Sequence, residues 1–395
     1  MADVDTDALL RRYSPVVQYD SQESFYADSV GIITDLVLPR RCNYLKSGRT
    51  ILAAGAPKAG QGQLSLDFLT GTSYPGGRAV SRDDLVDETG REYVADAAHM
   101  HVQPGYADQV YGHAVRDEQD RIWLQYWFFY YYNNKAFLGI GLHEGDWEMI
   151  QIRLNRAGRP NVATYAQHRE GERASWSDVE RDDTEDGPVP VVYSARGSHA
   201  SYFQAGVYPQ APVVPDRNDA GGPRVRPNLV VISDGAPGWA QWPGHWGSTP
   251  KENFFESDSP RGPREHAQWS DPGGFHAAAR PHELLQDTRL AQFDLASVLA
   301  PPTPTIAVRR EGRHAVVDYS FEAPAGQQAP PIGLVVTIDA PGDPRPPATY
   351  SFPIEGLRGS VEHKLRLEDR EYRVRVRAFS KEGLESDAVT AVLPA

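Results

Sequence analysis

The chain has one cysteine, Cys42, among its 395 residues. No intrachain disulfide can form, which excludes a fold stapled by bridges, and the lone thiol is expected as a small residue in or near the core. Long apolar runs are also missing. The most apolar stretch, Ile122 to Tyr132, is interrupted by Gln125 and falls far short of the roughly 20 residues a membrane-spanning helix needs. Basic charge is scarce: 40 Lys and Arg stand against 53 Asp and Glu, a net charge of −13, and no face is rich in Lys and Arg. A phosphate backbone needs a basic footprint, so nucleic acid is not expected as a partner, and adsorption to anionic membranes is disfavoured. Residues Met1 to Arg12 carry no apolar run of the secretory kind. The expected localisation is therefore cytoplasmic, with non-classical export as the open alternative. Helical patterning is almost confined to His276 through Leu299.

What is present points to an all-β protein. Apolar residues make up 40%, and the 35 Gly and 32 Pro are spread without period, as expected for many short strands joined by long loops. The length favours two domains. A stiff Pro301-Pro302-Thr303-Pro304 segment marks the boundary. All eight Trp precede it, and the charge changes across it, from 28 basic against 40 acidic residues to 12 against 13. The expected architecture is a large, loop-rich β-sandwich domain over 1–300 and a small β-sandwich domain over 301–395.

The informative stretch is Leu142-His143-Glu144-Gly145-Asp146-Trp147-Glu148, followed by Met149 to Leu154. Ile150, Ile152 and Leu154 recur at period two, which reads as a strand, and the same parity puts Asp146 and Glu148 on its apolar face. Carboxylates aimed into a core require a proton, a cationic side chain or a metal. His143, just upstream on a chain loosened by Gly145, makes a metal the economical partner; the competing reading is a solvated strand mouth. The aromatic run Ile122 to Tyr132 reads as the second strand of a hairpin with Val110 to Val115, apolar on both faces and therefore central in its sheet. It ends in Asn133-Asn134, and a short Gly-rich connection brings that pair near His143.

Val16 to Tyr19, Gly31 to Pro39, Thr50 to Ala53, Asn161 to His168, Pro190 to Ser194 and Leu229 to Ile232 read as strands. Asp20 and Glu23 follow the first of these and read mainly as a turn. Asp83, Asp84, Asp87 and Glu88 read as a solvated turn, and the acidic run Ser177 to Asp186 as an exposed hairpin tip. His99 and His101 would share a face if their segment were a strand. His199, among Gly197, Ser198 and Ala200, can approach a ligand closely because Gly197 lets the chain turn. Ala205 to Gly274 is long and rich in Pro and Gly, and its densest part is Trp242-Pro243-Gly244-His245-Trp246-Gly247. Those aromatics either stack on a ligand or plug the loop onto the core.

Beyond residue 304 the alternation is clean: Ala315 to Phe321, Leu334 to Ile338, Thr349 to Phe352, Val361 to Leu367 and Tyr372 to Phe379. The stretch Glu371 to Ser386 resembles the penultimate strand and final turn of a fibronectin type III module, which implies a tyrosine corner at Tyr372. Arg373, Arg375 and Arg377 share one face there, read as a solvated edge.

Over most of residues 10–250 the first domain resembles the vacuolar protein sorting-associated protein sixty-two family, found in fungi, plants and bacteria. The resemblance rests on Ser14-Pro15-Val16-Val17-Gln18-Tyr19-Asp20-Ser21-Gln22-Glu23, the strand ending Phe129-Tyr130, His143-Glu144-Gly145-Asp146-Trp147-Glu148, Gly197-Ser198-His199-Ala200 and Trp246-Gly247. More distantly it is similar to the necrosis- and ethylene-inducing-like proteins, whose signature is Gly-His-Arg-His-Asp-Trp-Glu. Their sandwich holds a divalent cation through the His, Asp and Glu of that signature and an upstream Asp. That likeness implies a site at His143, Asp146 and Glu148, with an amide, Asn133 or Asn134, where the upstream Asp would be. Gly145 replaces the second His of the signature.

The expected ligand set is thus His143, Asp146, Glu148, an Asn133 or Asn134 oxygen and water, a donor set suited to magnesium, manganese or calcium. The leading expectation is a binding protein whose cation bridges to a polar small molecule, glycan or lipid headgroup, helped by Trp242, His245 and Trp246. A metal-dependent hydrolase with His199 or Glu144 as base is the first alternative. A structural or assembly protein with a vestigial site is the second.

Overall fold

The computed structural model describes residues 5–34, 43–48, 50–87, 93–135, 142–168, 170–210, 213–247, 259–282, 301–326, 328–341, 348–365, 367, 369–380 and 386–395. Cys42 lies outside them, as do all but the first seven residues of the expected helical patch. Among the described residues, no helix is long and apolar enough to cross a membrane.

The aromatic strand Ile122–Asn133 is buried from its second residue to its last. It lies inside a seven-stranded sheet in the order Asn228–Val231, Gln109–Arg116, Ile122–Asn133, His143–Leu154, Pro160–Gln167, Glu170–Ser175, Arg280–Pro281. The interior pairings are antiparallel and both outermost ones are parallel. Strand alternation sends Tyr126, Phe128, Tyr130, Ile150, Ile152 and Leu154 to one face, where they pack with Val17 and Val192 of a second, five-stranded sheet and with Tyr19, just past its Val16–Gln18 strand. That sheet runs Arg181–Thr184, Gly187–Ser194, Val16–Gln18, Arg224–Val225, with Ser201–Tyr202 beside Gly187–Ser194. The residues between them, Trp127, Phe129, Tyr131, Trp147 and Met149, face the other way. They meet Leu45, Ala53 and Val86 of a four-stranded sheet, Tyr93, and three tryptophans, Trp239, Trp242 and Trp246. A sheet covered on both faces needs apolar side chains on both, which is why this strand pair shows no polar face.

Two amide nitrogens inside that pair find acceptors outside it. Gln125 and Gln151 lie opposite each other, and their amides donate to the carbonyls of Gln268 and Pro272 in a short helical segment, Ala267–Ser270 and Pro272–Ala278, that crosses the sheet. Only the last three residues of that segment, 276–278, overlap the predicted helical patch. Arg280–Pro281 follows as a strand.

Four further readings need correction. The residues around His99 and His101 form an α-helix, Tyr93–His101, so the two histidines do not share a face and His99 points outward. Val30–Ile33, inside the expected Gly31 to Pro39 strand, is a 3-10 helix, and residues 35–39 lie outside the described set. Asp84 is not solvated: it is buried and receives both Arg78 guanidinium nitrogens, at 2.9 and 3.0 Å, and the Tyr74 hydroxyl. The region after residue 205 contains a hairpin, Gly206–Gln210 with Val213–Asn218, that its Pro and Gly content concealed.

The C-terminal sheets form a second sandwich of fibronectin type III kind. Thr305–Glu311, His314–Ser320 and Arg358–Lys364 make one sheet; Ala348–Pro353, Pro331–Asp339, Tyr372–Ser380 and Val389–Leu393 make the other. Between them lie Val317, Leu334, Val336, Val374 and Val376. The Tyr372 hydroxyl donates to the Leu367 carbonyl at 3.1 Å and accepts from its amide at 2.8 Å, a tyrosine corner. Arg373 and Arg375 are exposed, but their strand is an interior one, paired on both sides. Tyr372→Phe is expected to destabilise this sandwich by about 1–2 kcal/mol and to accelerate hydrogen exchange at the Leu367 amide. Unchanged exchange there would contradict the corner's role.

Candidate functional site

Segments far apart in sequence converge at one end of the His143–Leu154 strand. Pairing with the aromatic strand sets His143 opposite Asn133, Asp146 opposite Tyr130 and Glu148 opposite Phe128. In the facing sheet, Val16–Gln18 and Gly187–Ser194 are adjacent and parallel, so the turns that follow them emerge together. One turn carries Glu23, the other Gly197 to His199. The Gly197 amide donates to Glu23 Oε2 at 2.7 Å, while Glu23 Oε1 accepts from the Ser24 and Phe25 amides at 2.8 and 2.9 Å. Gly197 has φ of 73°, and a Cβ there would lie 2.2 Å from Asn134 Oδ1. Its carbonyl accepts the Asn134 amide at 3.2 Å.

His199 is the innermost member. It is fully buried, adopts left-handed backbone at φ of 57°, and stacks on Tyr130 with centroids 3.9 Å apart. That backbone costs a non-glycine residue about 1–2 kcal/mol, which the surroundings must offset. Its Nδ1–H donates to Asp146 Oδ2 at 2.9 Å; its Nε2 has no hydrogen-bond partner and lies 3.9 Å from Glu23 Oε1. His199 therefore positions Asp146. With no exposed surface, it is not placed to act as a base on a substrate.

His143 is held in one tautomer. Its Nδ1–H donates to the Gly145 carbonyl at 2.6 Å, so Nε2 carries the lone pair and accepts from Asn133 Nδ2 at 3.3 Å. Asn133 Oδ1 accepts the Lys135 amide at 3.0 Å. The Lys135 ammonium reaches Asp216, which also receives the Ser198 hydroxyl, His168 Nε2–H at 2.8 Å and the Tyr202 hydroxyl at 2.7 Å. Burial alone would raise the Asp216 pKa, but the Lys135 charge and the bond from His168 outweigh it and hold the carboxyl far below the usual range. Burial pulls the Lys135 ammonium down, only partly opposed by Asp216.

Glu148 differs from its neighbours. It is 7% exposed, and no donor or cation among the described residues pairs with it. Burial, then the charges of Asp146 and Asp216, push its pKa well above the ordinary 4.5. An ionised, unpartnered carboxylate in such a place costs several kcal/mol. A proton or a cation removes that cost. The donor types at this end of the strand, the Glu148 and Asp146 carboxylates and the His143 imidazole, are ones that suit a divalent cation. They are not drawn together in this structure: among the described residues, the group of three acidic or imidazole ligands whose atoms all lie within 4.8 Å of one another is Asp28, His101 and Asp108.

Two expectations do not survive the geometry. Glu144 does not join Asp146, because Gly145, at φ of 60°, reverses the strand alternation. Glu144 instead accepts the Tyr93 hydroxyl at 2.6 Å on the opposite face of the sheet, and it is buried there. A Cβ at residue 145 would lie 1.9 Å from the Trp246 carbonyl oxygen, so only glycine fits. The tryptophan loop is a plug: Trp242 and Trp246 are buried, with centroids 5.3 Å apart, and Trp242 Nε1–H donates to the Tyr74 hydroxyl. His245 bonds the Ser259 carbonyl at 2.6 Å. With their ring faces packed against the core, Trp242 and Trp246 offer nothing for a ligand to stack on.

Sequence reasoning missed Asp216 and Lys135 and read Glu23 chiefly as part of a turn. Asp216 sits in the concealed hairpin. The Glu23 signal was its place at a strand end parallel to the one that leads to His199.

Because its pKa is raised on folding, the Glu148 carboxyl contributes fully to stability below its ordinary value, and that contribution is lost as pH rises through the folded value. In chelator-treated protein, Glu148→Gln should match wild type below the ordinary carboxyl value of 4.5 and exceed it in urea midpoint at mildly alkaline pH. Parallel pH profiles would show that Glu148 is not a strained carboxyl.

The family described as vacuolar protein sorting-associated protein 62 matches residues 126–222, which contain most of the aromatic strand, all of the His143–Leu154 strand, His199 and Asp216. No curated protein matches the chain significantly. Among solved structures, one described as "Toxin fold as basis for microbial attack and plant defense" is 11% identical, with 58% of this chain and 75% of that one covered and a TM-score of 0.27. NLPPya in complex with glucosamine is 10% identical over 44% of this chain and 68% of its own, at a TM-score of 0.26. The fn3 domain of human collagen alpha-1(XX) chain is 23% identical over 24% of this chain and 83% of its own, at a TM-score of 0.19. The chain is thus similar to the vacuolar protein sorting-associated protein 62 family over residues 126–222.

Proposed function

We propose that this protein binds a polar ligand through a divalent cation held by Asp146, Glu148 and His143. The observation that carries the reading is Glu148: a buried carboxyl with no partner among the described residues, its pKa raised further by the charge of a second carboxylate, Asp146, that His199 holds in place. A hard cation with carboxylate, imidazole and water ligands would neutralise the pair and keep open positions for ligand oxygens. Lys135 and Asp216 form the adjoining wall and already neutralise each other, so the cation would answer the remaining charge. Asn134, against Gly197, lines the same corner. Magnesium, manganese and calcium all suit these donors, and a glycan or a headgroup oxygen is the class of ligand they would bridge to. Hydrolysis would need a base facing the bound ligand. His199 is enclosed and Glu144 lies on the other face of the sheet, so binding leads over catalysis. We further propose that the chain divides at Pro301 to Pro304 into a site-bearing domain and a fibronectin-like one.

Titration calorimetry with magnesium, manganese and calcium, on wild type, Asp146→Asn and Glu148→Gln, tests the site. Wild type is expected to take up one of these ions, with affinity lowered about tenfold or more in each variant. Cation uptake that ignores both substitutions, or none in wild type, would overturn the proposal.

A further inference from the structure

The His101 imidazole, outside the site above, belongs to a cluster of its own. Asp28, His101 and Asp108 come from three segments: the turn before the Val30–Ile33 helix, the last residue of the Tyr93–His101 helix, and the entry to the Gln109–Arg116 strand. Each offers one ligand atom, and the three lie within 4.8 Å of one another. Asp28 is 3% exposed. Its Oδ1 accepts the Asp108 amide at 2.9 Å, and its two oxygens lie 2.9 and 3.2 Å from His101 Nδ1.

Two features go beyond an ordinary ion pair. Asp108 Oδ1 is shut off from solvent and has no hydrogen-bond partner, although it belongs to a carboxyl beside another carboxyl. Asp108 also takes left-handed backbone, φ of 50°, and so turns toward Asp28. A buried acceptor left unmade costs about 1–3 kcal/mol, and the His101 proton is already directed to Asp28. The imidazole is held in orientation by Tyr26, stacked on it at 4.5 Å with 27° between planes. Nitrogen and oxygen ligands bound at about 2.0–2.2 Å to one ion sit about 3 Å apart, which is the spacing His101 Nδ1 already has from Asp28.

We propose that Asp28, His101 and Asp108 form a divalent-metal site, distinct in its ligands from the Asp146 and Glu148 site, that takes a borderline transition metal such as zinc. Two carboxylates balance the charge of the ion, the imidazole supplies the nitrogen that favours zinc over magnesium or calcium, and water fills the remaining position. On binding, the His101 Nδ1 proton leaves to solvent and the lone pair it occupied goes to the metal. The ion ties the end of the Tyr93–His101 helix to the chain entering the central sheet. The role is structural, and it does not rest on the cation reading of Glu148.

The test is calorimetric titration of the full chain with zinc alone, in two buffers of different ionisation enthalpy, on wild type, Asp108→Asn, His101→Gln and Glu148→Gln. Wild type and Glu148→Gln are expected to bind one zinc at this site with proton release, and affinity should fall about tenfold or more in Asp108→Asn and His101→Gln. Circular dichroism checks that the near-isosteric variants are folded, and zinc should raise the melting temperature of wild type but not of those two. The proposal is overturned if wild type takes up no zinc, or if Asp108→Asn and His101→Gln bind it as wild type does. Loss of zinc in Glu148→Gln alone would assign the metal to the other site and equally overturn it.

Discussion

The structure depends on one constraint: the central strand pair Ile122–Asn133 and His143–Leu154 is buried on both faces, yet one of its ends carries charge. Apolar side chains on both faces let two further sheets and the tryptophan loop close over the pair. The same closure withholds water from Asp146 and Glu148. The charged groups near them are largely committed, with His199 Nδ1 on Asp146, Glu23 on the Gly197 amide, and Lys135 on Asp216. Glu148 is the carboxylate left over, and the chemistry proposed for the protein follows from that.

The arrangement also explains why widely separated motifs belong to one structural unit. Val16–Gln18 and Gly187–Ser194 run parallel, so their following turns meet. The Trp246–Gly247 backbone presses on Gly145 and Glu144 from the opposite face of the sheet. One face of the His-Glu-Gly-Asp-Trp-Glu segment is therefore occupied by packing, and the other by the charged cluster. Glycine at 145 is what allows one short segment to serve both.

Much of this was legible in the sequence where one period governs. The alternation of Ile150, Ile152 and Leu154 placed Asp146 and Glu148 correctly inside, and the short connection placed Asn133 beside His143. The tyrosine corner was legible because its geometry is local. What failed was non-local or ambiguous. A single positive-φ residue inverted the side of Glu144. The Ala-rich stretch around His99 and His101 read as a weak strand, although its composition suits the helix that formed. Asp216 could not be recognised, because a hairpin rich in Pro and Gly gives no period, and only the fold brings it to Lys135, Ser198 and Tyr202. The tryptophans were countable, but whether they faced a ligand or the core depended on which sheet they covered.

The claim that the buried carboxylate pair is completed by a cation is tested most directly by infrared difference spectroscopy of chelator-treated protein against protein loaded with manganese, at mildly acid pH. A protonated-carboxyl band is expected in the metal-free sample, absent from Glu148→Gln and abolished on loading. A metal-free spectrum without that band, or one that loading leaves unchanged, would contradict the account.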